Sequence, residues 1–142
     1  MKNRKPIIGI SMGDPAGIGP EITAKTLATR DIYDICRPLI IGDANAMRDA
    51  VKIAQVDLEI HPVTTISEGR FDHGTADVFD LKNVDMDELE HGKISAMAGN
   101  AAFHAVKRLI ELALDKEIDA TVTGPIHKES INLAGHHYPG HT

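Results

Sequence analysis

A single cysteine, Cys36, among 142 residues rules out a disulfide framework and suits a reducing compartment. The thiol reads as a small core hydrophobe rather than a reactive group. No apolar run approaches the roughly 20 residues that a membrane-spanning helix needs. The run that follows the basic start Met1-Lys2-Asn3-Arg4-Lys5-Pro6 is too short for a signal peptide. Positive charge is also scarce: 15 Lys and Arg face 21 Asp and Glu, a formal net charge of −6. The cations are scattered without a basic stripe, which argues against nucleic acid or an anionic membrane as partner. Internal repeats, low-complexity tracts and linkers are missing too. What remains is a soluble, cytoplasmic chain of one unit, long enough to bury roughly two thirds of its unfolded surface.

Strand and helix patterns alternate along that unit. Pro6 to Met12 is apolar throughout, as in a parallel strand covered on both faces. A helix is expected from about Gly19 to Thr29, with Ile22, Thr23, Thr26 and Leu27 on one side. Pro38–Gly42 reads as a second buried strand, after which Asp43 can cap a helix carrying Ala46, Met47, Ala50, Val51 and Ala54. A third strand begins at Leu58-Glu59-Ile60, Ser67–Thr75 reads as a loop or hairpin connection, and Ala76–Leu81 makes a fourth strand. From Ser95 to about Asp115, Ala98, Ala101, Ala102, Ala105, Leu109 and Leu112 form one apolar stripe. Asp119–Thr123 is then a further buried strand. The fold class expected is α/β, a mostly parallel sheet with helices on both faces.

The most informative segment is Gly13-Asp14-Pro15-Ala16-Gly17-Ile18-Gly19-Pro20-Glu21, which turns the first strand into the first helix. Its three glycines permit left-handed or crowded backbone, and Pro20 suits the first helical position. It is not a phosphate-cradling P-loop, since no lysine follows until Lys25. Nor is it a dinucleotide fingerprint, because Ile22 stands where the third glycine belongs. Asp14 and Glu21 would repel a pyrophosphate but suit the positive end of a helix dipole. The turn is either purely structural or brings Asp14 and Glu21 to face a substrate or position a cationic group.

Ligands of open α/β sheets bind beyond the carboxyl ends of the strands. Those ends carry Gly13-Asp14, Gly42-Asp43 and Thr123-Gly124-Pro125-Ile126-His127-Lys128. Lys128 is a candidate anion anchor, a compact positive charge. His127 either touches ligand or satisfies a loop carbonyl. His136, His137 and His141 invite a metal reading, but Gly135, Pro139 and Gly140 disfavour a helix there, so spacing alone builds no chelate. His61, His73, His91 and His104 have no motif around them and read as surface or packing residues.

Four collinear blocks carry a family resemblance: Gly13–Glu21, Gly92-Lys93-Ile94-Ser95-Ala96-x-Ala98-Gly99, Thr123–Glu129 and Leu133–Thr142. Together they resemble the 4-hydroxythreonine-4-phosphate dehydrogenase family, and the first is more distantly similar to the turn of isocitrate and isopropylmalate dehydrogenases. The last block most resembles the branch acting on D-threonate or D-erythronate 4-phosphate. The resemblance implies NAD-dependent oxidation and decarboxylation of a phosphorylated four-carbon hydroxy acid in a homodimer. It makes His141 and Thr142, in the Gly-His-Thr turn, substrate-binding residues beside Asp14 and Lys128. The family's divalent metal (zinc, magnesium or similar) is held by later histidines that map onto nothing here. The expectation is therefore that residues 1–142 are the N-terminal portion of a longer two-domain dehydrogenase, inactive alone. A free-standing binding module for a small phosphoacid is the alternative. So is the pyridoxal-pathway dehydrogenase acting on 4-phosphohydroxy-L-threonine.

Overall fold

The computed structural model describes residues 4–137. Each apolar run of the sequence becomes a strand of one five-stranded sheet, and every pairing in it is parallel. The strands are β1 (Ile7–Ser11), β2 (Arg37–Gly42), β3 (Glu59–Val63), β4 (Thr75–Asp80) and β5 (Ala120–Thr123). They lie in the order β3-β4-β2-β1-β5. Five helices connect or flank them: α1 (Gly19–Leu27), α2 (Arg30–Ile35), α3 (Ala44–Ala54), α4 (Ala96–Leu114) and α5 (Lys128–Leu133). The expected doubly covered α/β sheet is what forms.

Strand β2 shows why both faces are covered. Its Ile40 points into a core with Met12, Leu27, Met47 and Val78 under α1 and α3. Its Leu39 and Ile41 point the other way, to Val63, Leu109, Leu112 and Ile118 under α4. Side chains of a strand alternate between faces, so a continuous apolar run requires two cores. The helices that supply those cores are capped by the residues before them. Asp43 Oδ1 accepts from the Ala46 N–H at 2.9 Å, and Ser95 Oγ from the Ala98 N–H at 3.1 Å.

Several elements differ from expectation. Helix α1 starts at Gly19, which puts Pro20 second. Its buried face is Thr23, Ala24 and Leu27, whereas Ile22 is half exposed. Helices α2 and α5 were not expected. Each has only six residues and one or two buried side chains, too little to show a helical period. Tyr33 of α2 is fixed by tertiary contact instead, its hydroxyl donating to the Thr75 carbonyl at 2.9 Å. Ser67–Thr75 is no hairpin, because β3 and β4 are parallel neighbours. The chain crosses back through a short 3₁₀ turn, Ile66–Glu68, whose Thr65 and Glu68 form a capping box.

The largest departure is β5. Expected to be buried, all four of its residues are exposed. Among the described residues only its β1 edge is paired, and Val122 (51% exposed) and Ile22 (50%) line an apolar groove between β5 and α1 that no described residue covers. A strand whose side chains all stay exposed contributes little to stability. Val122→Asp should therefore change the unfolding free energy of this chain by less than about 0.5 kcal/mol, the range of exposed sites. Urea unfolding of both proteins checks this, and a loss of several kcal/mol would mean that β5 is covered in solution.

Candidate functional site

Where β1 ends, the backbone has to turn sharply while staying against β5. Gly13 does this at φ +81. The Asp14 N–H then donates to the Pro125 carbonyl at 2.9 Å, and the Gly17 N–H to the Asp14 carbonyl at 2.9 Å. From the other side, the Gly124 N–H is shared between the Ser11 carbonyl (2.9 Å) and Ser11 Oγ (3.1 Å). The loops after β1 and β5 are thus locked together through backbone. Gly99 of α4 lies so close to the Ser130 backbone that a Cβ there would overlap it, which seats α5 on α4.

This places the two outgoing helices on opposite faces. The helix after β1 packs on α3, and the helix after β5 packs on α4. Adjacent strands whose connections diverge leave a crevice at their carboxyl ends, the usual ligand position of such sheets. A cavity of about 310 Å³ occupies it. Its walls are Asp14, Ala16, Gly17 and Ile18 of the first turn, Pro125, Ile126 and His127 of the loop after β5, and Gly92 and Lys93. The last two arrive on the long segment after β4, which is pinned at three places. The Val84 N–H donates to Asp43 Oδ2 at 3.0 Å, His91 Nε2 lies 2.8 Å from Asp49 Oδ2, and the Gly92 N–H donates to the Ala16 carbonyl at 2.7 Å.

Asp14 is the buried charge of this site, only 4% exposed. Its Oδ1 accepts from the Ala16 N–H at 2.8 Å. Burial pushes its carboxyl above the ordinary carboxylate range, while the Ala16 N–H, the His127 imidazole and the Ser130 hydroxyl pull it back in that order. A carboxyl with a raised folded pKa favours the fold fully below its unfolded value of 3.8, and that contribution is lost as pH rises through the folded value. Asp14→Asn, which keeps an acceptor for Ala16, should therefore stabilise the chain at pH 7. The gain should vanish below about pH 3.8, where the wild-type group is protonated in both states. Urea unfolding at the two pH values measures it; equal differences at both would remove the burial argument.

Of the other residues singled out in the sequence, His127 lines the cavity, whereas Lys128 is exposed at the start of α5 and outside the lining. His141 and Thr142 lie outside the described residues. Asp43 is occupied structurally, one oxygen capping α3 and the other holding Val84. His136 stacks on Phe103 with centroids 3.7 Å apart, and its Nε2 lies 3.0 Å from Asn100 Oδ1. His61 and His91 pair with Asp77 and Asp49, and His73 lies 3.0 Å from the Ala28 carbonyl. Cys36 is half-buried at the end of α2 rather than in either core, so it is not the core hydrophobe expected, although burial pushes its thiol up, away from the reactive thiolate. Two residues escaped the sequence reading. Lys93 stood inside a recognised block with no hint that it lines the same cavity as Asp14. Ser130, fully buried, is a helix serine with no pattern around it.

The sheet, the diverging helices and the acid-bearing glycine turn define a doubly wound α/β domain with a small-ligand crevice at its switch point. Solved structures of this shape include a 4-hydroxythreonine-4-phosphate dehydrogenase from Burkholderia phymatum, at TM-score 0.94 and 44% identity over 97% of this chain and 42% of that one. A terephthalate 1,2-cis-dihydrodiol dehydrogenase from Burkholderia xenovorans LB400 has the same fold at TM-score 0.74 and 27% identity, over 96% of this chain and 39% of its own. Residues 34–142 match the family described as "Pyridoxal phosphate biosynthetic protein PdxA", and the chain belongs to that family. Among its curated relatives is a protein of Symbiobacterium thermophilum named "Putative D-threonate 4-phosphate dehydrogenase", 52% identical over 97% of this chain and 41% of the relative. A protein of the same name from Clostridium botulinum is 46% identical over the whole chain and 42% of its own length. The chain thus spans about two fifths of the length of the relatives it matches.

Proposed function

We propose that this chain forms one wall of the active site of a dehydrogenase acting on a phosphorylated four-carbon hydroxy acid, with D-threonate 4-phosphate as the preferred substrate class. The observation that carries the reading is the crevice itself, where Asp14, Lys93 and His127 come from three distant segments onto one cavity of small-ligand size. The curated relatives at 46–52% identity support the substrate class. The imidazole of His127 can give or accept a hydrogen bond to a substrate oxygen, and the ammonium of Lys93 can hold an anionic one. The buried Asp14 fixes the turn and offers an acceptor for a hydroxyl. The seal of backbone hydrogen bonds between the two loops keeps these groups at constant spacing.

The reaction we propose oxidises the alcohol β to the carboxylate with reduction of NAD, and the β-keto acid then loses carbon dioxide. Among the described residues no three of His, Cys, Asp and Glu stand together as a metal site. Following the family resemblance, we assign the divalent metal and most contacts to NAD to the part of the relatives' length that this chain does not span, and the roles derived above are binding and orientation only. A homodimer in the cytoplasm belongs to the same proposal; no helix among the described residues is long and apolar enough to cross a membrane.

The test joins this chain to the unmatched remainder of the Symbiobacterium relative and follows NADH formation with a divalent metal. Turnover of D-threonate 4-phosphate above that of 4-phosphohydroxy-L-threonine is expected. The reverse preference would reassign the substrate, and turnover of neither would end the reading.

A further inference from the structure

The cavity at the switch point combines groups of opposite demand. Asp14 is acidic and suits a hydroxyl donor while repelling an anion. Lys93 is the one cation on the cavity wall among the described residues, and its side chain is 69% exposed at the mouth. Its nearest acid is Glu90, 4.0 Å away and 72% exposed, a pair that water screens almost completely. The ammonium is therefore free to serve a ligand. Its backbone is not free. Gly92 is tied to the Ala16 carbonyl and His91 to Asp49, so the segment holds Lys93 beside the acidic turn rather than letting it wander. An anchored backbone carrying an exposed, weakly paired cation on the same cavity wall as a buried acid fits a ligand that has both an anionic group and a hydroxyl.

We propose that Lys93 is a specificity-determining residue of this site, its ammonium holding the anionic group of the substrate, phosphate or carboxylate, while Asp14 and His127 meet hydroxyl oxygens. The proposal rests on the active-site reading given above but makes a separate claim about one residue. Neither an uncharged polyol nor an anion without hydroxyls satisfies all three side chains, so discrimination against both follows from the same geometry.

Binding to the chain itself tests this without need of turnover. Amide shifts of the ¹⁵N-labelled protein are followed on addition of D-threonate 4-phosphate, of inorganic phosphate and of D-threonate. Shifts at Gly17, Gly92 and His127 with the phosphorylated acid are expected. Lys93→Gln should weaken that binding about ten-fold or more, the usual loss of a charge-assisted contact. Lys93→Arg should retain most of it, and Lys107→Gln, an exposed lysine of α4 away from the cavity, should leave it unchanged. Thermal unfolding of Lys93→Gln should match wild type, which separates lost contact from lost fold. If inorganic phosphate alone moves Gly92, the anion held is the phosphate; if D-threonate does so, it is the carboxylate. Unchanged affinity in Lys93→Gln, shifts confined to other parts of the sheet, or no binding of any of the three overturns the proposal. The two claims fail separately. Turnover by the joined protein with an unaltered KM in Lys93→Gln removes Lys93 alone, whereas anion binding at Gly92 without turnover removes only the dehydrogenase.

Discussion

Gly13→Ala should lower the stability of this chain by about 3 kcal/mol or more, combining a left-handed backbone with an overpacked contact. At φ +81 any residue with a Cβ pays about 1–2 kcal/mol for the conformation alone. The added methyl would also run into the Pro125 carbonyl oxygen and lie 3.0 Å from the Gly124 carbonyl carbon. Those atoms are backbone, so no side-chain rotation relieves the clash. Either the turn or the loop after β5 must move, and that loop carries His127. Gly74→Ala is the control: Gly74 has φ +97 but nothing within 4 Å of the added atom. It should cost only the conformational share, about 1 kcal/mol. Thermal unfolding of the three proteins measures the difference, and equal losses at both positions would show that the two loops are not in contact.

Asp77→Ala should be the most damaging change away from the site, at about 3 kcal/mol or a fall in Tm of about 10 °C. Asp77 is 1% exposed in β4. Its Oδ1 accepts from the Arg70 N–H at 3.0 Å and lies 2.8 Å from His61 Nδ1, and its Oδ2 accepts from the Phe71 N–H at 2.8 Å. The reason for a buried acid here is the crossover between β3 and β4. Parallel neighbours are usually joined by a helix, which satisfies its own backbone. This connection has only a 3₁₀ turn, so the N–H groups of Arg70 and Phe71 need an acceptor from elsewhere. Removing the carboxylate orphans all three donors at once. His61→Ala removes only one partner, itself partly exposed, and should cost less than half as much. Equal losses in the two variants would mean that the ion pair, not the crossover backbone, is what Asp77 serves.

His61 illustrates what the sequence could not convey. Nothing around it signals a partner, because its partner lies on another strand and is bonded to a third segment. The same holds for Ser130, which meets the glycine turn only once α4 has crossed the sheet, and for Lys93, whose segment is tied to that turn by the Gly92 N–H. By contrast, the apolar runs of β1, β2 and β4, the cap at Asp43 and the stripe of α4 were legible because each depends on residues within one turn or one strand of each other. Gly13 and Gly19 behave as the turn's composition implied, one left-handed and the other pressed against the Met12 carbonyl.

The amino-acid order by itself determined the parallel α/β class, the position of the glycine turn and the family, since periodicity and short motifs are local properties of the chain. Which side chains share the crevice, and that β5 stands uncovered, was decided only by tertiary structure. Strand order and crossover direction bring residues far apart in sequence together, and exposure depends on what packs against an element, which no single segment encodes.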